Sequence, residues 1–424
     1  MKSSVPQLAA FGGRPLFPQP LHVGQPVITD HELLLSDLDR VLRSGQLTNH
    51  GPQVRAFEEA VCGVAGTRHC IALCNATTAL QVAARALQLT GEVIMPSFTF
   101  IATAHAMEWI GLTPVFADVD PLTHTLDPDS VAACVTPRTS AILPVHLWGH
   151  VCDPADLTQI ATRHGLRLLF DASHAFGCRR AGTPAGGLGD AEVFSFHATK
   201  FVHSVEGGAI VTNSDALAER CRRLRGFGIT GLQEVSDIGT NGKMHELSAA
   251  TGLRSIAAMP ELLRRNHENR AVYAEWISAV PGLKLLPRPS AVDTNAQYVV
   301  AVVDEDQFGL SRDQLVAILR SEGVFVRSYF TPGCHRAVPY ADAPPDRHMR
   351  VPLPVTEQLL RSVMQFPTGR SVAPADIERI GALLQSICAS SGEIRRRLAT
   401  GFGRIVWHPA DPARPRDNAL REAG

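Results

Sequence analysis

Val193-Phe194-Ser195-Phe196-His197-Ala198-Thr199-Lys200 is the stretch on which the reading of the fold turns. Its first half is a short apolar run with the β-branched and aromatic composition of a buried strand, and its second half is a polar turn that ends in a lysine. Two similar runs flank it: Leu166–Asp171 upstream, and Ala209–Thr212 downstream, the latter entered through Glu206-Gly207-Gly208. Runs this short and this apolar fit strands covered on both faces.

Outward from that stretch the pattern repeats. From about Glu58 to Val211 the runs Ile71–Leu73, Glu92–Met95, Pro114–Ala117 and Ala141–Val145 alternate with the helical patterns Ala79–Leu89, Ala102–Ile110 and Leu157–His164. Alternation of this kind predicts βαβ units and an α/β domain built on a mostly parallel sheet. The chain then predicts a helix through Arg225, a polar Gly-rich stretch from Gly226 to Lys243, and one long helix over Glu246–Ser278. Strands near Ala296–Val303 and Phe325–Ser328 around a helix Arg312–Ser321, with a closing helix Pro374–Ala389, predict a smaller α+β domain. The division expected is an N-terminal segment (1–30), a large domain (31–255), a small C-terminal domain (256–390) and an Arg/Pro-rich tail (391–424), a helix end followed by a disordered segment with few apolar residues to dock from Ala410 onward.

Composition narrows the function. With 40 Lys plus Arg against 41 Asp plus Glu, the formal charge is −1, which lacks the basic footprint of a nucleic-acid binder. No run approaches the ~18 apolar residues of a membrane span, and Met1–Pro20 is too often interrupted by Pro and Gly for a signal peptide, so a cytoplasmic enzyme is expected. The nine cysteines include no CxxC pair, and no HExxH or GxSxG motif is present, so no metal site or serine nucleophile is expected. Gly186-Gly187-Leu188-Gly189 lacks the strand and helix that a dinucleotide loop requires and reads as a turn.

Three elements carry chemistry. A lysine just past a buried strand is desolvated, and a neutral amine there can attack a carbonyl carbon, making Lys200 the candidate nucleophile. Asp171 falls at the C-terminal edge of its strand, where doubly wound sheets bind ligands; its carboxylate suits a protonated pyridine nitrogen, although a helix N-cap has the same sequence. Cys74-Asn75-Ala76-Thr77-Thr78-Ala79-Leu80 opens a helix after a strand, a ready phosphate site or an ordinary cap by Asn75 or Thr77.

Taken together these residues resemble the DegT/DnrJ/EryC1/StrS family of sugar-nucleotide aminotransferases, of the aspartate-aminotransferase-like fold type I. The resemblance also rests on Leu47-Thr48-Asn49-His50-Gly51-Pro52, Pro96-Ser97-Phe98-Thr99-Phe100, Pro144-Val145-His146-Leu147-Trp148-Gly149, Asp171-Ala172-Ser173-His174-Ala175 and Asn241-Gly242-Lys243-Met244-His245-Glu246-Leu247. It implies pyridoxal 5'-phosphate held as a Schiff base on Lys200, which also shuttles the proton. It further implies Asp171 on the pyridine nitrogen, Phe100 stacked on the ring, Ala76, Thr77 and Ser195 around the phosphate, and Asn241 reaching the cofactor of a second subunit in a homodimer.

Two departures stand out. His174 replaces the glutamine more usual beside the phenolic oxygen and keeps a donor; Lys243 replaces an arginine and loses its bidentate geometry. The run from Arg327 to Arg336, with Pro339-Tyr340 beyond it, resembles members that aminate C4 of a dTDP-4-keto-6-deoxyhexose in preference to C3. Glutamate is the implied amino donor, with Tyr329 and His335 as substrate-side groups and Thr48 and Asn49 at the sugar hydroxyls. Tyr329 and His335 read equally well as packing between domains. The rival reading is a regulator of the same fold that binds without turnover.

Overall fold

The computed structural model describes residues 2, 4–344, 346–399, 406, 408, 410 and 411. Seven strands form the central sheet: β1 (His69–Leu73), β2 (Glu92–Pro96), β3 (Thr113–Ala117), β4 (Thr139–Ile142), β5 (Arg167–Asp171), β6 (Ala191–Ser195) and β7 (Gly208–Thr212). Their order is β1-β7-β6-β5-β4-β2-β3. All neighbours run parallel except β7, which is antiparallel to both β1 and β6. The expected α/β architecture of fold type I is therefore present.

Alternate side chains explain why the strands are apolar throughout. Ile71 and Leu73 of β1 face one layer with Leu80, Ala83 and Leu224, while Cys70 and Ala72 face the other with Val54, Phe57 and Val61. Helices thus cover both faces, and each strand buries successive residues on opposite sides. The first layer comes from the helices Ala76–Ala86 and Asp215–Arg225, the second from Pro52–Ala65.

A second core lies around β8 (Leu283–Leu285), β9 (Val299–Val303) and β10 (Val363–Phe366), an antiparallel sheet in the order β8-β9-β10. Val299, Ala301, Met364 and Phe366 pack there against Tyr273, Ile277, Leu315, Leu319, Ile380 and Leu384 from three helices. The N-terminal residues Val5, Leu8 and Phe17 belong to this same core, and Leu21–His22 pairs in parallel with Val324–Phe325. A third cluster, with Phe98, Val145, Trp148, Val300, Phe330 and Leu360, joins the two cores beside the site.

Two sequence expectations are corrected. The long helix over Glu246–Ser278 is two helices, Glu246–Ala257 and Met259–Ser278, because Pro260 has no N–H for the carbonyl of Ile256 and fits only a first turn. The strand near Phe325–Ser328 shrinks to Val324–Phe325, with Arg327 making an isolated antiparallel bridge to Gln365. Helix Ser391–Ala399 stands where a helix end is expected and buries Ile394, and beyond it the polar Asp411 pairs with Arg320 while His408 meets the Phe325 ring edge-on. The remaining tail positions, where disorder was expected, lie outside the described residues. Among the described residues no helix is long and apolar enough to cross a membrane.

Candidate active site

The C-terminal ends of β5 and β6 and the start of helix Ala76–Ala86 open on one cavity of about 720 Å³. Asp171, His174, Ser195, Lys200, Ala76, Thr77, Phe100 and Tyr329 all line it. Eight of the positions singled out by sequence thus converge on the sheet edge where open α/β sheets bind ligands.

Asp171 is 5% exposed, and both of its oxygens are held. Thr103 donates its hydroxyl to Oδ2 at 2.8 Å and the Ser173 N–H donates to Oδ1 at 3.0 Å. No helix follows at Ser173, so the carboxylate closes a tight turn and is not a helix cap. Thr103 is itself paired with the Thr99 hydroxyl at 3.1 Å.

Lys200 sits in the turn after β6, its N–H donated to the His197 carbonyl at 2.8 Å. Its Nζ donates to the hydroxyl of Tyr298 at 3.0 Å. Burial pulls the amine down to about 8, with the Asp171 charge opposing the shift. Roughly a tenth to a fifth of the amine is therefore neutral near physiological pH, far more than for an ordinary lysine, and the neutral form is the one that attacks a carbonyl.

At the other end of the cavity, Asn75 caps the helix by accepting the Thr78 N–H at 2.8 Å. The first-turn N–H groups of Ala76 and Thr77 have no carbonyl four residues back within the helix and stand at the cavity wall. The strand carrying Gly208 comes so close that a Cβ there would sit 2.5 Å from Ala76 N, and one on Gly207 would sit 2.7 Å from the Met244 methyl. The Glu206-Gly207-Gly208 signal is thus a close-approach requirement. Phe100, 57% exposed, presents its ring to the same space.

His174 accepts the Trp148 N–H at Nδ1 (3.4 Å), which leaves the neutral ring's proton on Nε2 as a donor. Burial, reinforced by the Lys200 charge, holds this imidazole well below the usual histidine range, so it stays neutral. A phosphate, a pyridine nitrogen, a ring face and a carbonyl each meet a complementary group here, and pyridoxal phosphate fits these residues.

Other expected residues are placed elsewhere. His335 is 8% exposed and does not line the cavity; it bridges Ser97 Oγ (2.6 Å, Nδ1) and Glu357 (2.8 Å, Nε2), bracing the Phe98–Phe100 loop. Thr48, Asn49 and Asn241 are exposed and do not line the cavity of their own chain. They nevertheless belong to one construction, because Glu246 donates its N–H to the Leu47 carbonyl (3.0 Å) and its carboxylate accepts the Gln53 N–H (2.7 Å). Lys243 lies with Nζ 4.6 Å from the Phe227 ring centroid. Sequence reasoning gave no role to Tyr298, Gln297, Thr103 or Arg327, which also line the cavity. The one signal for Tyr298 was a phenol at the mouth of an aliphatic strand.

Residues 29–385 match the DegT/DnrJ/EryC1/StrS aminotransferase family. The chain belongs to that family. Its members are enzymes that use pyridoxal phosphate. The chain is 37% identical over 314 residues to a dTDP-4-amino-4,6-dideoxy-D-glucose transaminase of Shigella dysenteriae, spanning 74% of this chain and 85% of the relative. It is 33% identical to a GDP-perosamine synthase of Caulobacter vibrioides, over 80% of this chain and 91% of the relative. The crystal structure of DesI with its TDP-sugar product superposes at a TM-score of 0.89 with 50% identity, covering 93% of this chain and all of that one.

Proposed function

We propose that this aminotransferase moves an amino group from glutamate to C4 of a dTDP-4-keto-6-deoxyhexose, of the dTDP-4-keto-6-deoxy-D-glucose type, as a cytoplasmic homodimer with shared active sites. The observation that carries the reading is the opening of Lys200 and Asp171 onto one cavity, the amine drawn down to about 8 and the carboxylate fixed by Thr103. The transaminase of Shigella dysenteriae and the TDP-sugar product of DesI support the substrate class.

Ala76, Thr77 and Ser195 would hold the cofactor phosphate, Phe100 its ring face, Asp171 its pyridine nitrogen and His174 Nε2–H its phenolic oxygen. Bound there, the cofactor supplies an aldehyde that condenses with amines and a ring that accepts the electron pair left by a departing proton. Lys200 Nζ would take the proton from the carbon bearing the donor's amine and hold it for return, and would act in the reverse sense for the sugar. Arg327, at the cavity wall and bonded to the Tyr329 hydroxyl at 2.7 Å, can pair with the donor's carboxylate.

The dimer is supported by the exposed apolar side chains between Phe227 and Ile238, with Leu232 at 96% and Ile238 at 100%, on the segment leading to Asn241. From that face Thr48, Asn49 and Asn241 would reach the partner's site together. The test is incubation with glutamate and dTDP-4-keto-6-deoxy-D-glucose, followed by NMR of the sugar product. Nitrogen on C4 with stoichiometric 2-oxoglutarate is expected; nitrogen on C3, or no turnover with any amino acid, would overturn the assignment.

A further inference from the structure

We propose that Tyr298 is the positioning residue for Lys200: its hydroxyl holds Nζ at one place in both protonation states, so the lysine takes and returns a proton without relocating its nitrogen. The inference rests on Lys200 being the acid–base group of the proposed transaminase.

The geometry is that of a fixed partner. Lys200 Nζ lies 3.0 Å from the Tyr298 hydroxyl, across 98 residues of sequence. The phenol ring is clamped by His174, whose ring centroid is 4.3 Å away, and by the edge of Trp148 at 5.4 Å. Tyr298 leads directly into β9, whose Val299 is fully buried in the second core. The lysine and its partner therefore come from different parts of the fold, and neither can follow the other if one drifts.

The chemistry requires a group that serves both states. A protonated Nζ needs an acceptor, and the phenolic oxygen is one; a neutral Nζ needs a donor, and the phenolic O–H is one, provided that the phenol keeps its proton. The groups facing this pair are Asp171, His174, Tyr329 and Arg327, with His197 and Glu206 farther around the cavity. Burial, with Tyr329 and Asp171 adding and Arg327 opposing, holds the phenol well above the usual tyrosine range. Tyr298 thus remains neutral while the proton passes between substrate carbon and Nζ.

The test uses the full-length, cofactor-free chain, whose lysines are Lys2, Lys200, Lys243 and Lys284. Competitive acetylation across about pH 6 to 10, read by peptide mass spectrometry, gives each lysine's titration. Hydrogen bonds to a charged group are the stronger ones, so the hydroxyl favours the ammonium on balance. Tyr298→Phe should lower the Lys200 titration by about half to one pH unit and leave Lys2, Lys243 and Lys284 in place.

In the cofactor-loaded enzyme, single-turnover transfer should slow by about 10- to 100-fold, with the KM for the sugar nucleotide nearly unchanged. Tyr298→Gln, which can still accept and donate, should restore the Lys200 titration, and it decides the matter should the Phe variant not fold. An unchanged Lys200 titration in the Phe variant, or a Gln variant with no restoration, would overturn the proposal. Because the labelling needs no substrate, a chain that never transaminates yet shows the Lys200–Tyr298 coupling would refute the reaction and not the coupling.

Discussion

Thr103 donates its hydroxyl to Asp171 Oδ2 at 2.8 Å, and through Thr99 the same hydrogen-bond chain reaches the loop that presents Phe100. The carboxylate proposed for the pyridine nitrogen is thus oriented by the helix Ala102–Glu108, and the loop bearing the stacking ring is oriented with it. Thr103→Val keeps the shape and deletes the donor. Loss of one such bond to a charged group costs about 1.5–3 kcal/mol, so cofactor affinity should fall by roughly 10-fold or more. Fluorescence titration with pyridoxal phosphate measures this; unchanged affinity would show that Ser173 N–H alone suffices.

Gly208 is predicted to be irreplaceable for a steric reason. A methyl group there sits 2.5 Å from Ala76 N, so Gly208→Ala must push the helix N-terminus away from β7. Pyridoxal phosphate binding should weaken strongly, whereas pyridoxal, which has no phosphate, should lose little. Equal losses for both ligands would place the phosphate elsewhere.

Lys200 gives the pH dependence its sign. With the amine at about 8 in the fold, its neutral fraction rises through that pH, and the rate at which the cofactor-free protein captures pyridoxal phosphate should rise with it. The folded value lies below that of an unfolded lysine, so the unfolded chain binds more protons between the two values and stability rises with pH in that window. Below about pH 8 the buried ammonium destabilises the fold in full. Lys200→Met should therefore raise the melting temperature of the cofactor-free protein at pH 7. After allowance for partial solvent exposure the gain is on the order of 1 kcal/mol. Calorimetry at pH 7 and pH 10 checks both the gain and its shrinkage.

The Asp411–Arg320 pair separates stability from catalysis. Arg320 donates Nε to Asp411 at 2.8 Å and Nη1 to the Val326 carbonyl at 3.0 Å, and its guanidinium lies 5.0 Å from the Phe325 ring centroid. Truncation from Ala410 should lower stability by about 1–3 kcal/mol, because a mostly buried cation loses its carboxylate. Turnover at low temperature should stay intact. Denaturant titration beside steady-state assays measures the two; a drop in kcat would tie the tail to the site through neighbouring Arg327.

How much of this was readable in sequence follows from what each signal depends on. The strands β1, β5, β6 and β7 were legible because burial on both faces forces continuous apolar runs, and Lys200, Asp171 and Thr77 because they sit at fixed offsets from those strands. The break at Ala258 was missed because Pro260 falls where a helix start tolerates it, leaving the apolar periodicity unbroken. Tyr298 and Arg327 were not given roles because their meaning lies in contacts across long sequence separations, 98 residues between Tyr298 and Lys200, which no local pattern encodes. For His335 the sequence left a substrate-side role and packing equally open, and only the fold shows it held between Ser97 and Glu357, away from the cavity lining.

The most direct measurement is the absorbance spectrum of the protein and of Lys200→Ala, each reconstituted with pyridoxal phosphate and then given glutamate. The wild-type protein should show a long-wavelength imine band that glutamate discharges to the absorbance of the aminated cofactor, and Lys200→Ala should show no such cycle. A wild-type protein with no band after reconstitution, or a Lys200→Ala variant that cycles like wild type, would contradict the assignment of Lys200 as the group that binds the cofactor and moves the proton.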